Sequence, residues 1–201
     1  FSTGGREQAA TPPVGQQEPC ATHSRTRAAA GIRSGPSTST PFTSCEVQRT
    51  IAAPAADIFA VLADPQGHVA IDASGMLQDA TGDPAGKVGD RFVVHMDREA
   101  LNDFPMGKYD VTVDITEFEP DRLIAWTILG AIEPQIGHVY GYRLEPLDDP
   151  AGATLVTSFY DWSNIHDKWR AADIFPVIPE SALRATLGIL DRTVRRGHPR
   201  P

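Results

Sequence analysis

The sequence predicts an α+β fold in which a long C-terminal helix lies on an antiparallel sheet of about seven strands. Several short segments between residues 76 and 162 alternate apolar and polar side chains and are joined by tight turns, a pattern typical of hairpin-linked strands. Residues 178–199 instead repeat apolar side chains at helical spacing, between recognisable start and stop signals. Short helices are expected after the first strand.

Residues 1–44 predict a disordered N-terminal tail that precedes one folded domain at residues 45–201. Runs such as "TPPVGQQEP" and "GIRSGPSTSTP" cannot bury enough apolar surface to offset the entropy of ordering. The arginines of this segment resemble those of a transit peptide, but the segment has no amphipathic period, which favours a linker or a leader. The chain begins with Phe, so we expect its true start to lie upstream or to have been removed.

Composition and charge argue against several classes of protein. The 201 residues are 41% hydrophobic and 22% charged, an ordinary mixture for a soluble globular domain. The net charge is −8, and because the first 44 residues carry +2, the remainder carries −10 and would repel a nucleic acid. The two cysteines, Cys20 and Cys45, form neither a disulfide framework nor a zinc pattern, which favours a reducing cytoplasm. No apolar run approaches the roughly 20 residues that span a bilayer, and no signal-peptide core is evident.

The domain is expected to begin with a strand followed by two short helical segments. In "CEVQRTIAA", Cys45, Val47 and Ile51 share one face with Arg49, whereas the alternate positions are mostly polar. "PAADIFAVLADP" then places apolar residues on one helical stripe, with Pro54 near its first turn and an Asp-Pro pair at its end. "PQGHVAID" is expected to add one further short turn.

The strand "KYDVTVDITEFEP" is expected to turn one face toward the core, because its apolar positions alternate with Asp and Thr. Those inward positions are Tyr109, Val111, Val113 and Ile115. In "DRLIAWTIL" both faces are apolar, so the orientation of Trp126 stays open. In "RFVVHM", alternation places His95 on the solvent face, and a β-bulge would reverse that placement.

The strand "GHVYGYRLEPL" carries the most unusual inward face of the domain. By the same alternation, His138, Tyr140 and Tyr142 point inward. Three polar-tipped rings on one inward face favour a cavity that is lined by a few hydrogen-bonding groups. The alternative is a plain core in which each ring tip reaches the open end of the sheet or a backbone partner.

The C-terminal helix is predicted from "IPESALRATLGILDRTVRRGHP". Pro179 and Glu180 mark its start, and two arginines followed by Gly197 mark its end, with charges that suit the helix dipole. Its apolar stripe consists of Leu183, Leu187, Leu190 and Val194. Burying these four side chains contributes roughly 6–12 kcal/mol gross, so the helix is expected to lie on the sheet.

This order of elements, together with "IAAPAADIFAVLADPQGHVAID", resembles the START-like (SRPBCC) superfamily. The superfamily includes Bet v 1-like pollen allergens, START lipid-transfer domains and polyketide cyclase/dehydrase-like proteins. "EFEPDRLIAW" looks like its strand–turn–strand element, and "GATLVTSFYDW" like its last strand. The resemblance covers residues 45–197 and implies a helix-grip fold, in which a curved sheet wraps around the C-terminal helix and leaves a hydrophobic cavity between them.

The resemblance implies a ligand cavity rather than a particular reaction. No catalytic residue stands out, and the sequence has no HExxH, CxxC, GxSxG, phosphate loop or dinucleotide fingerprint, so no metal and no cofactor is expected. His68 and Asp72 are expected to cap a short helix, the alternative being a polar gate at the cavity mouth. The residues predicted to bind the ligand are Tyr109, Val111, Val113, Trp126, His138, Tyr140, Tyr142, Phe159, Trp162, Trp169, Phe175, Leu183, Leu187 and Leu190.

The stretch "FYDWSNIHDKW", residues 159–169, invites interpretation as a metal or acid/base site. Asp161 and His166 are however expected on different elements, separated by a turn that Ser163 or Asn164 is suited to cap. The favoured interpretation is an aromatic lid over one end of the cavity, formed by Trp162, Trp169 and Phe175.

Three functions stay open at this point. The favoured one is binding or carrying a small hydrophobic molecule, such as a lipid, isoprenoid, quinone or polyketide, in the cavity. The alternative is a polyketide cyclase, aromatase or dehydratase without metal or nucleotide cofactor, in which an inward Tyr or His polarises a carbonyl or moves a proton. The third is a module whose open sheet docks another protein. Apart from the ligand we expect no nucleic-acid partner and no integral membrane segment, and a monomer or weak homodimer in the cytoplasm.

Overall fold

The computed structural model describes residues 43–99 and 105–197 of the chain. The predicted disordered tail lies outside these residues apart from its last two positions, and the first strand begins at Ser44. No helix in the described part of the chain combines the length and the apolar character that crossing a membrane requires.

The described residues form seven strands and four helices, in the order that the sequence predicts. The strands are β1 (Ser44–Ile51), β2 (Leu77–Thr81), β3 (Arg91–Asp97), β4 (Lys108–Glu119), β5 (Leu123–Leu129), β6 (Val139–Leu147) and β7 (Ala153–Asp161). The helices are α1 (Ala55–Ala63), α2 (Pro65–Ile71), α3 (Asp167–Ala171) and α4 (Glu180–Arg196).

All seven strands pair antiparallel in one curved sheet of order β1-β7-β6-β5-β4-β3-β2, which confirms the predicted fold class. Helices α1 and α2 connect the two edge strands. A bulge in β4 between Ile115 and Glu117 shifts the alternation, so that Phe118 turns back to the core. Its ring meets that of Phe59 on α1 edge to face, with centroids 5.3 Å apart.

The inner face of the sheet, the one that packs against α4, holds the hydrophobic core. Helix α4 buries Leu183, Leu187 and Leu190 on this face, and Val194 is half-buried beside them. The long helix begins directly after Pro179 and ends at Gly197, which has a positive φ of 78° that glycine adopts at little cost. The predicted stripe therefore faces the sheet along the length of the helix.

One end of the sheet gathers the connections that surround the candidate site. Strands β3, β5 and β7 end there, and β1, β4 and β6 begin there. We call it the loop end, and its described residues are 98–99, 105–107, 130–138 and 162–179. Two hydrogen bonds join its segments: His166 N–H donates to the Ile136 carbonyl at 3.0 Å, and Trp169 Nε1–H donates to the Pro134 carbonyl at 2.8 Å.

Helix α3 begins differently from the sequence-based expectation. Its N-cap is His166, whose Nδ1 accepts the Lys168 N–H at 3.1 Å, rather than Ser163 or Asn164. A ring nitrogen can replace the usual side-chain oxygen because it offers an acceptor lone pair at a similar reach. Asp161 caps the preceding turn by accepting the Ser163 N–H at 2.7 Å. Asp161 and His166 thus cap local backbone on separate elements, as the sequence indicates.

Candidate functional site

Three neighbouring strands place a row of aromatic rings across the inner face of the sheet. Trp126 on β5 lies directly opposite Tyr140 on β6, which lies opposite Tyr160 on β7. The rings of Tyr140 and Tyr160 are nearly parallel, at 7°, with centroids 4.5 Å apart. Those of Trp126 and Tyr140 are 6.4 Å apart at 25°. The orientation of Trp126, which alternation left open, is therefore inward.

Tyr142 on β6 and His138, which directly precedes β6, extend this row. The His138 ring lies edge to face with Tyr140 and Tyr160, at centroid distances of 5.0 and 5.6 Å. Tyr142 lies 5.9 Å from Trp126. His138 and Tyr142 are each only 5% exposed, and Tyr140 is half-buried. The rings of His138, Tyr140 and Tyr142 thus all lie on the inward face that alternation predicts.

The polar tips of these rings lie around the Tyr160 hydroxyl. His138 Nδ1 is hydrogen-bonded to that oxygen at 3.1 Å. The Tyr140 phenol and the backbone of Val177, from the segment that precedes α4, lie close enough to affect its ionisation. Tyr160 is completely buried, so its hydrogen bond to His138 joins β7 to the loop end at an interior point.

Burial shifts the ionisation of His138, Tyr140 and Tyr160 toward their neutral forms. It lowers the pKa of His138 to about 4 and raises the pKa of Tyr140 well above its usual range. Burial also raises the pKa of Tyr160, although the neighbouring Tyr140 phenol and Val177 backbone act in the opposite direction. Around pH 7 these side chains are therefore a neutral imidazole and two neutral phenols.

His68 on α2 lies at the Trp126 end of the aromatic row. It is 7% exposed, its Nε2 lies 2.9 Å from the Leu62 carbonyl, and its ring contacts Trp126 and Phe92 at 4.6 and 5.0 Å. Burial lowers the pKa of His68 to about 4. Asp72 instead caps the turn after α2, where it accepts hydrogen bonds from Ser74 and Leu77. His68 is therefore part of the aromatic wall, and does not pair with Asp72 in a gate.

The remaining residues that the sequence predicts to bind the ligand lie on β4 and α4. Val113 on β4 is buried, whereas Tyr109 and Val111 are half-buried nearer the loop end. Three leucines of α4 belong to the same core cluster and cover the inner face from above: Leu183, Leu187 and Leu190. The structure thus brings residues from β4, β5, β6, β7 and α4 to one face of the sheet.

Phe159 is the exception, because it lies on the outer face of the sheet. Its ring covers Gly141, where an added Cβ would come within 2.3 Å of the ring atom Cζ, and Arg143 stacks over it at 4.4 Å. Arg143 in turn pairs with Glu46 at 2.8 Å. Phe159, predicted to bind the ligand, therefore does not lie beside the inner rings, since neighbouring residues of a strand point to opposite faces. Phe159 instead borders an outer groove of about 320 Å³ that also contains Glu117.

The three residues predicted to form a lid all lie at the loop end. Trp162 is buried, with its ring 5.0 Å from that of Tyr160. Trp169 on α3 is half-buried and hydrogen-bonded to Pro134. Phe175 contacts the His138 ring edge to face at 6.0 Å. They surround the end of the aromatic row, with Trp162 inside and the other two nearer the surface.

His95 lies outside this cluster, on the outer face that simple alternation indicates. Its Nδ1 lies 2.8 Å from Asp110 and its Nε2 2.9 Å from Thr81, across three neighbouring strands. Within residues 43–99 and 105–197, no group of three or more His, Cys, Asp or Glu side chains is arranged to hold a metal ion.

Sequence reasoning missed two residues at the centre of the cluster, Tyr160 and His68. For Tyr160 the alternation of "ATLVTSFYDW" separates Thr154, Val156, Ser158 and Tyr160 from the opposite face, but both faces mix apolar and polar residues, so it does not show which one is inward. For His68 no strand alternation exists, and only the packing of α2 against the sheet shows that its ring is turned inward.

An antiparallel sheet with a ring-lined inner face covered by one long helix defines a helix-grip domain. Residues 43–195 match the family model described as polyketide cyclase/dehydrase and lipid transport, and the chain belongs to this family. Over 113 residues it is 31% identical to the uncharacterized protein Rv0088 of Mycobacterium tuberculosis, a match that covers 56% of this chain and 44% of that protein. The chain thus spans less than half the length of the curated relatives it matches.

Solved structures with the same fold come from proteins of diverse description. The Zhui aromatase/cyclase of Streptomyces sp. R1128 is 22% identical with a TM-score of 0.53, covering 76% of this chain and 93% of that one. Truncated norcoclaurine synthase of Thalictrum flavum is 14% identical with a TM-score of 0.54, covering 77% and 94%. At these identities the likeness establishes the fold alone.

Proposed function

We propose that this domain binds or carries a small hydrophobic molecule, such as a lipid, isoprenoid, quinone or polyketide, between the inner face of the sheet and α4. The observation that carries the proposal is the in-register row of Trp126, Tyr140 and Tyr160, flanked by His138 at the loop end. A plain core is usually filled by aliphatic side chains, whereas ligand sites combine aromatic walls with a few placed polar atoms.

The loop end provides a suitable entrance for such a molecule. Most of the large apolar side chains that are exposed in the described residues lie there: Met106, Ile132, Ile174 and Val177. They come from three separate connections, and Phe175, which directly follows Ile174, has its ring against that of His138. Apolar residues around an opening help an apolar molecule to leave water before it enters.

Native mass spectrometry of the full chain tests the binding proposal directly. The protein is expressed in its source organism, and a co-purified apolar molecule is expected as an added mass that organic solvent extracts. Its identity then follows from fragmentation of the extract. If the protein stays free of added mass and also fails to bind apolar dyes and a panel of lipids, quinones and polyketides, the proposal is rejected.

A second candidate function is supported by the polar-tipped rings of His138 and Tyr140. A neutral phenol or a neutral imidazole on this inward face can polarise a carbonyl or move a proton, as cyclisation or loss of water requires. The family description includes both cyclase/dehydrase and lipid-transport members, so membership alone does not choose between the two functions.

Turnover of a poly-β-keto substrate distinguishes the enzyme from the carrier. If the domain is an enzyme, His138→Gln and Tyr140→Phe are each expected to slow turnover by about 100-fold or more, since general acid–base catalysis typically contributes that much. Unchanged turnover in both variants would remove these residues from the mechanism. If the wild-type protein binds the substrate but does not turn it over, the result supports the carrier function. The predicted cytoplasmic location and the monomer or weak homodimer stay part of the proposal.

A further inference from the structure

The hydrogen bonds around Tyr160 fix where the proton of His138 resides. A phenol oxygen donates one hydrogen and accepts at two lone pairs. Tyr160 is completely buried, so its hydrogen needs an acceptor inside the protein. Among the described residues, the hydrogen-bond partner of this hydroxyl is His138 Nδ1 at 3.1 Å, and Nδ1 therefore receives the Tyr160 hydrogen. Nδ1 is an acceptor, so the neutral imidazole carries its hydrogen on Nε2.

The Nε2–H group of His138 is left for a molecule from outside the chain. Among the described residues, the hydrogen-bond partner of the His138 side chain is Tyr160, at Nδ1. Every side-chain nitrogen or oxygen of these residues that is sealed from solvent has a hydrogen-bond partner. Nε2 has no partner among them, so this atom is in contact with accessible space although the His138 side chain is only 5% exposed. A buried ring whose second nitrogen stays reachable is a donor placed for a ligand.

We propose that His138 is the residue that selects the ligand, through a neutral Nε2–H donor that pairs with an oxygen acceptor such as a ketone or quinone carbonyl. The inference rests on the proposed binding function and adds its chemical selectivity. Tyr140, Tyr160 and Phe175 pack around the His138 ring with their aromatic faces and edges, so the ligand must also present an apolar body. A hydrocarbon of the same shape would leave the N–H without an acceptor, which costs binding free energy.

A matched pair of probes tests the selectivity. 9-Fluorenone and fluorene share one planar skeleton and differ chiefly in a carbonyl oxygen, and their binding to the full chain is measured by equilibrium dialysis. Wild-type protein is expected to bind fluorenone about 3- to 10-fold more tightly than fluorene, which is the effect of one neutral hydrogen bond. His138→Phe keeps a ring in place but removes the donor, so its two dissociation constants should become equal. His95→Phe is the matched control, because it makes the same change on the outer face and should keep the preference.

The possible failures are distinguishable. Equal binding of both probes by the wild type would overturn the selectivity and leave the binding function standing. If neither probe binds and the apolar panel also fails, the binding function falls and the selectivity with it. Nitrogen-15 NMR of the imidazoles in the free wild-type protein provides a measurement without any substitution. The Nε2–H tautomer is expected at His138 near pH 7, and the Nδ1–H tautomer would overturn the inference.

Discussion

Arg49 on β1 and Asp191 on α4 are joined by two hydrogen bonds between the inner face of the sheet and the helix that covers it. Nη2 and Nε of Arg49 lie 2.7 and 3.0 Å from Asp191 Oδ2. Arg195, one turn along α4, reaches the other carboxylate oxygen at 2.8 Å. Asp191 is 5% exposed, whereas both arginines extend to the surface. This contact links β1 to α4 next to Leu190, one of the leucines that the helix buries against the sheet.

Replacing Asp191 with Asn should destabilise the domain by about 1–3 kcal/mol, because two arginines lose their shared carboxylate while the shape is kept. The value is below that of a fully buried pair since the arginines are half-exposed. The measurement is urea unfolding at pH 7. Glu180→Gln removes the exposed ion pair with Arg184 on the same helix and should cost about 0.5 kcal/mol or less. Equal losses in the two variants would contradict the special role of Asp191.

Two glycines should respond in opposite directions to substitution by alanine. At Gly141, a Cβ would lie 2.3 Å from the Phe159 ring and 2.8 Å from the Ile124 carbonyl. Gly141→Ala therefore requires β6 or the ring to move and should destabilise by about 1–3 kcal/mol. At Gly188, in the middle of α4, no heavy atom of the described residues lies within 4 Å of the added carbon, apart from its chain neighbours and the backbone of the helix itself.

Gly188→Ala should consequently stabilise the domain by about 0.5–1 kcal/mol, through the higher helix propensity of alanine alone. Thermal and urea unfolding of both variants against the wild type check the pair. If Gly141→Ala were neutral, the close packing of Phe159 on β6 would not exist in solution. A destabilised Gly188→Ala would mean that something in the native protein covers this position on α4.

The elements of this fold could be predicted from sequence because each follows from a local period. The alternation in β4 and β6 gave the inward faces of Val113, Tyr140 and Tyr142, and the helical stripe of α4 gave its three buried leucines. The C-terminal stop at Gly197 was also local, since it needs only a residue that tolerates positive φ.

The centre of the candidate site could not be predicted in the same way, because it depends on which residues of separate strands lie opposite one another. Trp126 sits on a strand that is apolar on both faces, so only its pairing with Tyr140 shows its direction. Phe159 and Tyr160 are adjacent and both aromatic, and hydrophobicity alone favours neither for the interior. The polar Asp191 lies next to the apolar stripe of α4, and its burial follows from Arg49 far away in sequence.

Stability should decrease at acidic pH because of the two buried histidines. Burial lowers the pKa of His68 and of His138 from 6.5 to about 4. Between those values the unfolded chain binds a proton that the folded chain does not, so the free energy of unfolding falls as pH drops from 6.5 and levels off below about 4. Each histidine accounts for a loss of about 3 kcal/mol over this range.

Urea unfolding at pH 7, 5.5 and 4.5 measures this dependence in the wild type and in His138→Phe. The variant should lose less stability on acidification, because one of the two titrating groups is gone. Carboxylates contribute equally to both proteins and cancel in the comparison. Parallel pH profiles would show that His138 keeps an ordinary pKa and is not enclosed as described.

Trp169 should control how readily the loop end opens. Its Nε1–H bond to the Pro134 carbonyl links α3 to the β5–β6 connection. Trp169→Phe keeps an aromatic ring but removes this bond, which contributes about 1 kcal/mol net. Amide hydrogen exchange in residues 130–137 should therefore become about 5-fold faster, with little change in global stability.

Lys168→Gln provides the matched control for this experiment. Lys168 Nζ also bonds to the β5–β6 connection, at the Glu133 carbonyl, but it is exposed and water can replace it. Amide hydrogen exchange in residues 130–137 of the Lys168→Gln variant should stay close to the wild-type rate. If the loop end is the entrance, a bound apolar probe should also dissociate faster from Trp169→Phe than from Lys168→Gln, since release requires the segment that Trp169 holds to move. Equal dissociation rates in the two variants would place the entrance elsewhere.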